Sequence, residues 1–292
     1  MCFYGGAGGA PLCLSTIQKW MALFGIGGLT IERATKNLRR IKVKSWLSYT
    51  LLVIVGLATQ PSRGEQTTVA VAANFVLPMA RLETLFENVT QHELIAVSGS
   101  TGQLYAQILN GAPYDIFLAA DRERPNKLIQ NGSAVAGTQF TYALGQLSLW
   151  TREPLLADNL SLDILASDNF RRLAIANPFL APYGIAAQQT LNTMGLWQAL
   201  QTKIVRGESV NQAFAMVETR NAELGLVALS NTIAYTNFAA SVLVPPGYYA
   251  PIRQDAILLT RGEQNPAALA FIHFLRNTEA REIIRDAGYS LP

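Results

Sequence analysis

The chain has 292 residues, half of them hydrophobic, with 23 Lys and Arg against 20 Asp and Glu, two histidines and two cysteines. Such a composition excludes a disordered chain, and the length supplies ample core for one large or two medium domains. His92 and His273, with cysteines only at Cys2 and Cys13, are too few for His/Cys metal cages.

Residues 1–64 carry eight cations and one anion, Glu32. From Lys36 to Lys44 the chain is basic, from Trp46 to Ala58 apolar, and from Thr59 to Gly64 polar. That is the order of a secretory signal peptide, with its hydrophobic region at about 46–58. The thirteen-residue run is shorter than the roughly 20 residues a membrane-crossing helix needs. Cleavage after Ala58 or after Gly64 fits equally, and the segment before Lys36 matches no useful element. Both cysteines fall in this leader, so the exported protein is expected to be cysteine-free. Without the leader, 15 cations and 19 anions remain, a net of −4. Nucleic-acid binding, which rests on a basic surface, is thereby disfavoured.

The exported chain alternates short apolar runs with helix-period segments, the grammar of a parallel sheet with crossover helices. A strand at 67–72 turns at Ala73–Asn74 into a helix with Met79, Leu82, Leu85, Phe86 and Val89 on one face, Pro78 fitting its first turn. A strand at 94–98 leads through Gly99-Ser100-Thr101-Gly102 into a helix that stops near Asn110-Gly111. A third strand, 115–119, precedes Asp121, a helix N-cap for a helix through Gln130. Residues 142–151 read as one extended strand, after which the pattern restarts: strand 173–176, the loop 177–184, and a helix stopping at Gly195. Strand 203–205, the turn Gly207-Glu208-Ser209-Val210, a helix with Ala213, Phe214 and Val217 inward, and strand 224–229 follow. A second extended segment at 255–260 precedes one last helix from about Pro266 to Asp286. The pattern therefore predicts two α/β lobes, each mainly parallel and flanked by helices, with two crossover segments as a hinge. Lobe 1 is expected at 65–143 plus 259–292 and lobe 2 at 144–258, with ligand between facing strand ends.

Four strand-to-helix turns bring Asn, Ser, Thr or Tyr and free N–H groups to helix starts, where the dipole favours an anion. Ordinary N-capping explains any one of them equally well. Four together, almost without Lys or Arg, favour an oxyanion cleft of neutral donors. Enzymatic readings are weaker. Ser100 or Ser209 needs a base, but His92 lies before the second strand and His273 mid-helix between Phe271 and Phe274, as a packing residue. Gly99-Ser100-Thr101-Gly102 lacks the phosphate-loop lysine and is no Gly-x-Ser-x-Gly. Asp115 and Asp121 read as a strand-end hydrogen bond and a helix cap rather than as an acid–base pair.

The motifs Val-Ala-Val-Ala-Ala-Asn (69–74), Gly-Ser-Thr-Gly-Gln-Leu-Tyr-Ala-Gln-Ile (99–108) and Gly-Ala-Pro-Tyr-Asp-Ile-Phe-Leu-Ala-Ala-Asp (111–121) occur in order with Ala-Pro-Tyr-Gly (181–184) and Gly-Glu-Ser-Val-Asn-Gln (207–212). In this order the chain from Thr67 to Pro292 resembles the periplasmic molybdate-binding proteins that serve ABC importers. The resemblance implies a type II two-lobed periplasmic binding protein fold and no enzymatic activity. It further implies a monomer without cofactor whose ligand is molybdate or tungstate and whose partner is a membrane permease. It places oxyanion contacts at Asn74, at Thr101 with Ser100 adjacent, at Tyr183, and at the Val210 amide with Asn211 next to it. Asn74, Thr101, Tyr183 and Val210 would touch the oxygens of molybdate and not the metal itself. Some members carry a further tyrosine where this chain has Ala228, a departure for which Tyr183 would compensate. A receptor for another tetrahedral oxyanion such as sulfate, a serine hydrolase, and the sensing half of a regulator are the alternatives.

Overall fold

In the computed structural model the described residues are 64–292, except Thr236 and Phe238. The expected signal peptide lies outside them. Strand β1 (Gln66–Ala72) is buried on both faces from Val69 onward, the mark of a central strand covered by helices on each side. A single tight turn, Ala73–Phe75, leads into α1 (Val76–Thr90), which buries Met79, Leu82 and Phe86. Val89 stays 62% exposed, so the apolar face is narrower than its periodicity predicts. Then follow β2 (Glu93–Gly99), α2 (Thr101–Leu109), β3 (Ile116–Leu118), α3 (Glu123–Gln130) and β4 (Phe140–Gly145). After Gln146 the chain enters β5 (Leu147–Thr151), a short α4 (Pro154–Ala157), β6 (Leu173–Ala176), α5 (Pro182–Thr193) and β7 (Ile204–Gly207). Helix α6 (Val210–Glu218), β8 (Leu224–Ala228), α7 (Leu229–Ile233) and β9 (Ala240–Leu243) complete this part. Strand β10 (Ile252–Leu258), α8 (Pro266–Phe274) and α9 (Thr278–Asp286) close the chain.

Two five-stranded sheets result, in the orders β2-β1-β3-β10-β4 and β7-β6-β8-β5-β9. In each, three strands are parallel, and one antiparallel strand is inserted beside them. That strand is β10 in the first sheet and β5 in the second, and each follows directly on a crossing between the lobes. The sheets are therefore mixed, and both lobes belong to one compact unit.

The extended run expected at 142–151 is two strands in different sheets, separated at Gln146, because β4 pairs with β10 while β5 pairs with β8 and β9. The assignment of 144–258 to the second lobe needs correction at both ends, since Leu144 and Gly145 belong to β4 of the first lobe. Residues 252–258 pair with β3 and β4, so they lie in the first lobe. The last helix is also two: Asn277 caps α9 by accepting from the Ala280 N–H at 2.7 Å, which breaks the expected run. His273 is exposed, not packed between its phenylalanine neighbours. Helix α7 and strand β9 have no counterpart in the sequence expectation. Among the described residues no helix is long and apolar enough to cross a membrane.

The second lobe packs around Leu149, Trp150, Ile175 and Leu226, with Phe214 stacked on Trp150 at 4.2 Å. The first lobe buries Phe75, Phe86, Ile116 and Phe271 on one sheet face and Leu104, Phe117 and Ile257 on the other. Two rigid layers thus hold the carboxyl ends of their parallel strands toward each other.

Candidate functional site

At those strand ends lies a cavity of about 10 Å³, lined among others by Asn74, Ser100, Thr101, Tyr183 and Val210. Each of the four expected turns contributes. So small a space, about that of one water, is far below the hundreds of Å³ of an organic-ligand pocket. A larger cavity by Asp121, Arg122 and Gln189 adjoins it, sharing Ala120 and Pro182, and another lies by Leu144, Val244 and Tyr249.

The donors arise from local structure. Val210 and Thr101 are the first residues of α6 and α2, so their N–H groups have no intrahelical partner. Tyr183 is the first residue of α5 able to donate, because Pro182 before it has no N–H. The Thr101 hydroxyl accepts from the Ala120 N–H at 3.1 Å, which leaves its own proton for a ligand. Ser100 does two jobs: its Oγ accepts from the Gln103 N–H at 3.3 Å in a capping box, and the residue also lines the cavity. Capping and ligand binding are therefore compatible at this turn.

Tyr183 is 1% exposed, and its hydroxyl accepts from Gln254 Nε2 at 3.4 Å. Burial pushes this phenol well above its ordinary pKa, with Tyr289, Tyr142 and Tyr249 nearby acting in the same direction and the Gln254 hydrogen bond offsetting slightly. It stays a neutral O–H donor. Asn74 spends both amide hydrogens inside the protein, on Gln254 Oε1 at 2.8 Å and on the Tyr289 hydroxyl at 3.0 Å. Its remaining donor is the main-chain N–H at the start of the turn into α1.

Asn211 is not brought into the cavity. Its Oδ1 accepts from Asn231 Nδ2 at 3.0 Å, so this residue is a strut between α6 and α7. Ala228, fully buried at the end of β8, also lies outside the lining. Ser209 caps α6 by accepting from the Gln212 N–H at 3.2 Å, and no histidine lines the cavity, so no serine here has a base. Asp115 is structural. It accepts from the Thr68 N–H at 2.8 Å, the Thr67 hydroxyl at 3.3 Å, Arg261 Nη1 at 2.7 Å and Asn265 Nδ2 at 3.4 Å. Asp121 accepts from the Arg124 N–H at 2.9 Å and pairs with its guanidinium, although burial still raises its carboxyl above the usual range. Among the described residues no group of three or more His, Cys, Asp or Glu could hold a metal ion.

No lysine or arginine lines the cavity. Direct bonds join the lobes around it. Gly102 donates to the Leu180 carbonyl at 2.8 Å, Gln103 Nε2 to Glu208 Oε2 at 2.6 Å, and Ser230 Oγ to the Asn74 carbonyl at 3.0 Å. Gln254, Ser230 and Tyr289 are the residues that sequence reasoning missed. Gln254 left no distinct trace, because it lies in the polar run Arg253-Gln254-Asp255 of β10. Ser230 and Tyr289 left none.

Residues 67–290 match the family described as bacterial extracellular solute-binding protein. The chain is 45% identical over 238 residues to the molybdate-binding protein ModA of Azotobacter vinelandii, which covers 81% of this chain and 94% of the relative. It is 42% identical over 239 residues to the molybdate-binding protein ModA of Rhodobacter capsulatus, covering 82% and 93%. The solved Azotobacter vinelandii periplasmic molybdate-binding protein superimposes with a TM-score of 0.74 at 39% identity, covering 77% of this chain and 99% of that one. With the fold, the cleft and these relatives in agreement, the chain belongs to the bacterial extracellular solute-binding proteins, within the family of the molybdate-binding proteins.

Proposed function

We propose that the chain is an exported receptor that captures molybdate, and tungstate with it, between its lobes and delivers it to the permease of an ABC importer. The observation that carries this reading is a cation-free cavity onto which helix starts and hydroxyls from both lobes converge. Preorganised N–H and O–H donors stabilise a tetrahedral dianion without a balancing positive charge. Each charge-assisted bond contributes roughly 1.5–3 kcal/mol, so a handful support tight binding. A cavity of donors leaves the P–O–H of a protonated phosphate unpaired and so selects against it. Sulfate is equally a dianion, and only the size of the cavity separates it from molybdate.

The contacts we assign are the main-chain N–H groups of Asn74, Thr101 and Val210 and the hydroxyls of Ser100, Thr101 and Tyr183. Closure of the lobes would present the loaded form to the permease, as hinge closure does in periplasmic binding proteins. Export follows from the basic-then-apolar leader, and N-terminal sequencing of the processed protein tests it. Calorimetric titration with molybdate, tungstate, sulfate and phosphate tests the ligand. Heat with molybdate and tungstate is expected; heat with sulfate alone would make the protein a sulfate receptor and overturn the assignment.

A further inference from the structure

We infer that Tyr289, with Ser230, is a positioning residue for the oxyanion site: it fixes Asn74 within the first lobe and offers the point on which the second lobe docks at closure. This inference rests on the proposed oxyanion capture. Tyr289 lies beyond α9, 215 positions from Asn74, and is 3% exposed. Its ring stands edge-on to Phe75, the neighbour of Asn74, with centroids 5.4 Å apart. The next residue, Ser290, exchanges two backbone hydrogen bonds with Leu144 of β4, at 2.8 and 3.1 Å. The tyrosine is thereby fastened to the strand that leads into the hinge.

Its hydroxyl grips Asn74 at two points. It donates to the Asn74 carbonyl at 2.7 Å and accepts from Asn74 Nδ2 at 3.0 Å. Gln254 Oε1 takes the other amide hydrogen at 2.8 Å and is itself held by the Tyr142 hydroxyl at 3.1 Å. All of these groups belong to the first lobe, so they hold whether or not the lobes meet. Ser230, from α7 of the second lobe, then donates to the same Asn74 carbonyl at 3.0 Å and lies 3.0 Å from the tyrosine oxygen. The triangle of carbonyl, phenol and serine is complete only when the lobes are together. Its members are buried, and a buried polar network favours one geometry when every member is paired. Asn231, next to Ser230, braces Asn211 beside Val210. One short helix thus touches the residues behind both an amide of the first lobe and an amide of the second. Burial also holds the Tyr289 phenol above its ordinary pKa, so the grip stays a neutral hydrogen bond through neutral and mildly alkaline pH.

The test is calorimetry with molybdate on the unaltered protein, Tyr289→Phe, Ser230→Ala and the double variant, beside hydrogen exchange of the 73–76 amides without ligand. Tyr289→Phe is expected to raise the Kd about three- to tenfold and Ser230→Ala somewhat less. The double variant should lose less than the product of the two, because both hydroxyls serve one carbonyl. Ligand-free exchange at 73–76 should quicken in Tyr289→Phe and stay unchanged in Ser230→Ala, a difference that general destabilisation would not produce. A Kd within twofold of the unaltered protein together with unchanged exchange in Tyr289→Phe would overturn the inference. If Tyr289→Phe does not fold, Ser230→Ala decides alone, and an unchanged Kd there overturns the docking role. If the unaltered protein takes up no molybdate, the proposed ligand fails, and the exchange comparison still decides the role of Tyr289.

Discussion

Gly102→Ala separates closure from folding, because its effects on the two have opposite signs. A Cβ built at Gly102 would stand 2.8 Å from the Leu180 carbonyl oxygen, 3.1 Å from Leu180 Cα and 3.3 Å from Arg124 Nη2. Leu180 belongs to the other lobe, so the collision exists only when the lobes meet. Ordinary van der Waals contact begins at 3.4 Å, so the lobes must retreat by about 0.6 Å at this point. The 2.8 Å bond from the Gly102 N–H to Leu180 then stretches beyond good hydrogen-bonding range. Losing that bond, with displacement of the neighbouring Thr101 donors, costs about 1–2 kcal/mol, a five- to thirtyfold rise in Kd. Within α2 the same change replaces a glycine by the best helix former and stabilises the first lobe by up to about 0.5–1 kcal/mol. Calorimetric titration with molybdate and a thermal melt without it measure both. The expected pair is weaker binding with an unchanged or slightly raised Tm. Binding within twofold of the unaltered protein would refute the reasoning, because it would mean that the 2.8 Å approach is not part of the binding-competent form.

Tyr183→Phe removes one hydroxyl from the cavity wall and should weaken oxyanion binding about tenfold or more while the melting temperature moves by no more than about 2 °C; an unchanged Kd in titration would show that Tyr183 is no ligand contact. The phenols of Tyr183 and Tyr142 are held well above their usual value of about 10 by burial. The unfolded chain releases these protons near that pH and the folded chain does not, so their stabilising contribution is whole below about pH 10 and falls above it. Affinity should accordingly be flat from about pH 7.5 to about pH 9.5, and a loss of binding with a midpoint inside that window would contradict neutral phenol donors. Asp115→Ala strands the Thr68 N–H and leaves Arg261 with only the Pro113 carbonyl, at a cost of about 2–4 kcal/mol, so calorimetric melting should fall by several degrees. Because Asp115 is not among the residues that line the cavity, the Kd of protein that remains folded should be unaltered.

Much of this architecture is legible in the sequence for a physical reason. Parallel strands buried on both faces are continuous apolar runs, and residues 69–72, 173–176 and 224–228 are read directly. Helix starts carry local signatures, so the four turns that line the cavity can be named from residue type and position alone. The pairing of strands is not local. Nothing between Tyr142 and Thr151 marks the change of sheet at Gln146, and nothing in 252–258 says that this strand returns to the first lobe. Within the site, Asn211 is a polar neighbour of Val210 that faces Asn231 instead, a distinction that sequence spacing does not draw. The residues that orient Asn74 are 156, 180 and 215 positions away and carry no motif, so only the fold reveals them.

The division of the cavity between the lobes has a consequence for letting go. Asn74 and Thr101 stand on one lobe, Tyr183 and Val210 on the other, and no lysine or arginine lines the cavity between them. If these residues are the ligand contacts proposed above, each lobe on parting would retain only half of the donors, and those would at once find water. On the proposed contacts, neither half would keep a counter-charge to hold the departing anion, so release would need no protonation of the ion and no exchange of ligands. A partner that spread the two lobes would dissolve the proposed site, and the work of discharge would be done on the protein rather than on its cargo.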